Sequence, residues 1–449
     1  APNGSRFCNL YYLIKEISMS KEENRKNFSK YVSQNILGMI GFSCYVLADS
    51  YFISIAKGAD GLTALNLVMP LYSIIFSIGE MIGVGSAIRY AISKIKKDAD
   101  ADDYFWNALI WCILSSMLFV FAGIFFSADI MRVLGADEHI VAVGNNYTKI
   151  FMCFAPMFMC NYVTNAFVRN DGAPGIAMSA TLFSSLFNIV FDYILMFPMN
   201  LGMEGAALAT ALSPIIGMGI CSIHFFSKKS SVRLVVCKPS VRKLVAGCQL
   251  GVSAFVGEMS SAVITLAFNF VILKLAGNVG VAAYGVVANI AIVTTAVFNG
   301  VAQGSQPLIS SCFGRGDKDG CTQLKRMGYT TAFVLAAVMY SILFIFAGQF
   351  VAVFNSEGSE MLRLYATEGV KLYFIGIFFA GINIVGGGAF SATEDAFKAA
   401  VVSVARGFVL ILGAVFVMSA LFGMTGVWLA YAVAEGITTF IMLVMVLRV

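Results

Sequence analysis

Gly202 to Ala211 reads GMEGAALATA, and Gly423 to Ala432 reads GMTGVWLAYA. A shift of 221 residues lays one on the other and matches both glycines and the Met, Leu and Ala positions. A shift of 219 sets LTALNLVMP (from Leu62) beside VAAYGVVAN (from Val281) and Gly85-Ser86 beside Gly304-Ser305. The same shift pairs Asp98 with Asp317 and Asp100 with Asp319. The chain therefore reads as one design used twice.

The solvent of that design is a bilayer. The 449 residues are 59% hydrophobic and 12% charged, where a soluble domain carries roughly 45 to 50% and about 25%. A spanning helix needs about 20 mostly apolar residues, and such runs centre near residues 43, 76, 115, 157, 187, 215, 261, 296, 339, 379, 408 and 436. The expected fold is an all-α membrane protein of about twelve transmembrane helices in two pseudo-symmetric six-helix bundles. Its divisions are a tail (1–27), a first lobe (28–226), an interlobe linker (227–244) and a second lobe (245–449). Six spans per repeat put both repeats in one orientation, related by an axis along the membrane normal, as in some secondary transporters.

Of the 30 Lys and Arg, 23 fall in segments on the side of the N-terminus, Arg169 among them, six on the other side, and Arg406 inside a span. Basic side chains concentrate on the cytoplasmic face, so both termini are expected in the cytoplasm of a bacterial-type plasma (inner) membrane. The net charge of +5 then reflects cytoplasmic loops and implies no nucleic acid. The ten cysteines include no CxxC pair, which argues against disulfides and thiolate metal sites. Residues 1–18 contain no Met, and the polar stretch from Met19 reads as a cytoplasmic start, so the preceding segment is expected to be added sequence. No segment carries a phosphate-binding glycine motif or a Walker lysine. An ion gradient is left as the energy source, with no cofactor and no metal beyond a coupling sodium ion.

Particular phrases narrow the class. VLADSYFIS around Asp49, FVRNDGAPG followed by FNIVFDYILMF, QGSQPLISSCFG, and ARGFVLILGAVFVMSALFGMTGVWLAYAVAE resemble the multidrug and toxic compound extrusion (MATE) family from about Phe28 onward. That resemblance implies export of organic cations or amphipathic small molecules in exchange for protons or sodium ions, by a protein expected to act as a monomer in the lipid bilayer. The family often has a proline early in the first and seventh spans, where this chain has Gln34 or its neighbours and Ser253.

Ionisable side chains inside a bilayer are costly and face the bundle interior, so they are functional candidates. Depth along helices rising 1.5 Å per residue sets Asp49, about five residues below the outer end of the first span, level with Asp192 and Thr210. Asn188 lies one turn from Asp192 on the same face. These four are expected to hold the coupling cation, since two carboxylates together in a low dielectric require a proton or a counter-cation; the resemblance points to the same positions. Glu258, Asn269 and Gln303 are candidates for a substrate or second cation site. Glu80, which aligns with Asn299 in the repeat, lines a cavity or bonds between helices, and Arg406 and Glu435 read as a structural ion pair. His139 and His224 lie near span ends and read as incidental.

Three rival readings remain. A lipid-linked oligosaccharide flippase, or an exporter of one metabolite, shares the paired bundles, but such a flippase needs a cationic cavity, whereas the charges here are mainly acidic. An intramembrane enzyme lacks a nucleophile and base on facing helices. A passive channel would fail to show counterflow.

Overall fold

The structure, a computed structural model, describes residues 21–354 and 359–447; the expectations for residues 1–18 and Arg448 lie outside them. Among the described residues there are helices and no strands. This is what a bilayer demands of a chain whose backbone groups must be satisfied within each segment.

Among the described residues, nine helices are long and apolar enough to cross a membrane. Two of these are double spans broken at a glycine, and one further span is a helix pair bent by 46°. The twelve spans in order are α1 (Lys21–Gly58), α2 (Asp60–Lys96), α3 (Asp103–Val133), α4 (Glu138–Cys153 with Ala155–Asn170), α5 (Pro174–Met196) and α6 (Gly202–Phe225). After the non-helical stretch 226–240 come α7 (241–276) and α8 (278–314), split at Gly277, then α9 (Lys318–Ile345) and α10 (Glu360–Ala392). α11 (396–422) and α12 (424–447), split at Gly423, complete the chain.

The breaks carry the repeat into the backbone. Gly58 (φ 59°, ψ −142°) and Gly277 (φ 61°, ψ −157°) lie 219 positions apart and adopt a conformation that a Cβ forbids. Gly202 and Gly423, 221 apart, are likewise at positive φ. α1 therefore runs to Gly58, nine residues past Asp49, not about five: Lys57 looked like loop but is still helical.

Among the described residues two large apolar cores form, one from residues between Ile53 and Leu250, the other mainly from Phe268 to Ala434. They exchange arms, because Phe28 and Val32 of α1 pack into the second core and Leu250 of α7 into the first. Glycine permits these crossings. A Cβ on Gly85 of α2 would stand 2.0 Å from the carbonyl oxygen of Gly247 on α7. Its repeat mate Gly304 of α8 faces Val32 of α1 at 2.7 Å from Cα in the same way. Small residues at close crossings are the usual device of membrane helices.

Polar bonds joining the halves cluster toward the end of the bundle that carries the 226–240 stretch, the linker face. Arg89 pairs with Glu394, Lys96 with the same carboxylate (3.5 Å), and Asn24 donates to Gln323 (3.2 Å). Lys243, at the start of α7, pairs with Asp103 of α3. The halves thus meet at the linker face.

Candidate functional site

In the first half, α1, α5 and α6 bring Asp49, Asn188, Asp192 and Thr210 into one buried cluster, with exposures of 6%, 0%, 0% and 1%. With its amide nitrogen turned to Asp192, Asn188 donates to Oδ2 (3.1 Å), and its oxygen accepts from the Thr210 backbone N (3.2 Å) and Oγ1 (3.1 Å). Oδ1 of Asp49 and Oδ1 of Asp192 are buried with no hydrogen-bond partner among the described residues. Buried polar atoms are nearly always paired, so these two acceptors are the part of the cluster that the described side chains leave unsatisfied. The two carboxylates lie within Coulombic reach of each other.

Tyr45, one turn before Asp49 on α1, was not singled out in the sequence. It lines the central cavity and sits within electrostatic reach of Asp49, Asp192 and Glu258. It therefore connects the cluster to the space between the halves.

That cavity has about 100 Å³ of open space. Phe42, Phe76, Phe158 and Tyr162 give it aromatic walls, and Glu80, Glu258, Asn161, Asn165, Asn299, Gln303 and Arg169 supply its polar groups. Glu80 and its repeat mate Asn299 both line it. Glu258 has no hydrogen-bonding partner among the described residues, because the Ser260 hydroxyl donates instead to the Gly257 carbonyl (2.9 Å). Asn161 Oδ1 is another buried orphan acceptor. Asn269 does not join this group: it lies 11 residues, or about 16 Å, along α7 from Glu258 and does not line the cavity.

Two sequence expectations need correction here. Arg169 is not a cytoplasmic loop cation; it is 3% exposed, and its Nη1 donates to Gln303 Oε1 (2.7 Å). Gln303 Nε2 in turn donates to Glu80 Oε1 (3.0 Å), so an Arg169–Gln303–Glu80 chain crosses between halves. Nor is His224 incidental, since it bonds Asp171 at 2.8 Å.

In the second half Arg406 Nη2 meets Glu435 Oε1 at 2.7 Å. Arg406 sits in a π-helical turn, Ala405–Val409, which widens the helix around it. Asn383 of α10 donates to Glu435 Oε2 (2.7 Å) and accepts from Thr439 Oγ1 (3.0 Å), extending the pair into a three-helix network. Asn383 carried no sequence signal beyond being a polar residue in an apolar run.

Comparison with known proteins agrees with this architecture. The MatE family model matches residues 35–194 and 254–417. The multidrug export protein MepA of Staphylococcus aureus (strain MRSA252) is 27% identical over 414 residues, covering 90% of this chain and 89% of that protein. MepA of Staphylococcus saprophyticus is 26% identical over 409 residues, with the same coverage. A structure described as the outward-facing conformation of a multidrug resistance MATE family transporter superimposes with a TM-score of 0.86 at 20% identity, over 95% of this chain and 96% of that one. A transporter of the MOP superfamily from Pyrococcus furiosus, described as having a binding pocket of reversed polarity, gives 0.87 at 20% identity over 94% and 95%. The match over both repeats, on a duplicated twelve-span helical fold, makes this chain a member of the MATE family of multi-pass membrane transporters.

Proposed function

We propose that the protein is a secondary active exporter that exchanges a proton or a sodium ion for organic cations or amphipathic small molecules by alternating access. The observation that carries this reading is the pair of orphaned carboxylate oxygens on Asp49 and Asp192, beside a cavity whose charges are two carboxylates and one guanidinium. A coupling cation binds the first-half cluster, Tyr45 communicates its presence, and cargo occupies the aromatic cavity near Glu258 and Glu80. The lobes are 28–226 and 245–449, and they rock about the glycine crossings of α1, α2, α7 and α8. With the linker in the cytoplasm of an inner membrane and a monomer as the working unit, the bonded linker face corresponds to a state closed toward the cytoplasm. The acidic balance of the cavity disfavours an anionic lipid-linked cargo.

Efflux of a cationic dye from sealed vesicles, under pH and sodium gradients imposed separately, tests this. Uphill movement driven by either gradient is expected; dye movement that only follows its own gradient would make the protein a channel.

A further inference from the structure

Among the described residues that line the cavity, Arg169 is the single cation. It is not directed into solvent but is tied through Gln303, across the division between the halves, to Glu80. Glu80 is 8% exposed, and the cavity's open space is about 100 Å³, against roughly 300 to 1,000 Å³ for a typical ligand pocket.

We infer that Arg169 is a built-in stand-in for the cargo cation: through Gln303 it balances Glu80 when the cavity is empty, and an incoming organic cation must displace it. This rests on the reading of the protein as an exporter of cations and adds a specificity determinant to it. A cation that pairs with Glu80 takes the place of the Gln303 amide. Gln303 then loses its acceptor, the Arg169 guanidinium loses its link to a counter-charge, and a bond between halves opens. An uncharged amphiphile has nothing to offer Glu80 in exchange and leaves the chain of bonds intact. The bridge thus separates charged cargo from neutral molecules of the same shape, and it links occupancy of the cavity to loosening of the linker face.

The test is titration of the purified protein with methyltriphenylphosphonium and with the uncharged triphenylphosphine oxide. Removing the competitor is expected to tighten phosphonium binding by about tenfold in Gln303→Leu and in Arg169→Gln, the worth of one charge-assisted hydrogen bond, with the oxide changed less than about twofold. Equal loss of both ligands would mean a mere strut and overturn the inference. Phosphonium binding indifferent to both substitutions removes this inference alone, whereas a parent protein that ignores phosphonium removes the cation-export reading with it. Should neither variant fold, the unaltered triad is tested with spin labels at Lys97→Cys and Lys318→Cys, both exposed on the linker face, on a background lacking native cysteines. Phosphonium is expected to lengthen the label-to-label distance and the oxide to leave it unchanged. An unchanged distance with bound phosphonium overturns the inference.

Discussion

The imidazole of His224 at the end of α6 meets the carboxylate of Asp171, in the turn between α4 and α5, at 2.8 Å, with both side chains 4% exposed. Asp171 Oδ2 also accepts from Ser230 Oγ (3.0 Å) and the Ser231 backbone N (2.8 Å), and Oδ1 accepts from the Tyr90 hydroxyl (3.2 Å). One carboxylate therefore docks the 226–240 stretch onto the first half. Asp171→Asn is expected to cost about 1.5 to 3 kcal/mol, the range for hydrogen bonds to a charged group. It should lower the melting temperature and speed proteolysis between 226 and 240. An unchanged cleavage rate would show that the docking lies elsewhere.

Glu394 has φ 60°, and 222 positions earlier Gly172 holds φ 87° at the matching turn. A side chain kept in the left-handed region, where the other repeat uses glycine, suggests a use for its carboxylate, and that use is the cross-half pairing with Arg89 and Lys96. Arg89→Glu and Glu394→Arg should each destabilise the protein, and the exchanged pair should recover part of the loss, with a coupling of about 0.5 to 3 kcal/mol in thermal unfolding. Strict additivity would contradict the latch.

Breaking a buried ion pair strands a charge and costs about 3 to 5 kcal/mol, while replacing both members by apolar residues is often neutral. Arg406 and Glu435 are 15% and 3% exposed. Glu435→Gln alone should therefore unfold at a lower temperature than Arg406→Met with Glu435→Leu. The reverse order would mean that the charges act independently.

Val236, 74% exposed in the linker, is the better labelling site. Neighbouring Cys237 accepts from Asn107 Nδ2 (3.1 Å), and burial, with the Asp103 carboxylate nearby, pushes its thiol above the usual range. On a cysteine-free background, Val236→Cys should react with an impermeant maleimide only from the cytoplasmic side. Reaction in intact cells would invert the orientation.

The spans and the duplication were legible because both are written along the chain: apolar length marks a helix, and Gly202 and Gly423 recur where the backbone turns. Depth was legible in part: counting residues set Asp49 level with Asp192 and Thr210 and Asn188 one turn away, although α1 runs nine residues past Asp49 and not about five. Partners across helices were not. Asn269 shares a face of α7 with Glu258 but stands about 16 Å along it, and the cavity takes only Glu258. Arg169 looked like a loop cation because FVRNDGAPG is locally polar, and its partner Gln303 stands 134 positions away. Contacts of that range depend on how the halves meet, which no local pattern records.

The central claim is that Asp49 and Asp192 couple transport to an ion gradient. Asp192→Asn keeps the shape of the side chain and removes the charge that a proton or sodium ion must balance. The measurement is dye efflux from vesicles holding matched amounts of parent and Asp192→Asn protein, under an imposed pH gradient and, separately, a sodium gradient. The account predicts that the variant still binds the cationic dye but loses gradient-driven efflux, and that Asp49→Asn with Asp192→Asn is scarcely worse than either alone. Full gradient-driven efflux by Asp192→Asn at normal abundance would contradict it and move the coupling site to Glu258.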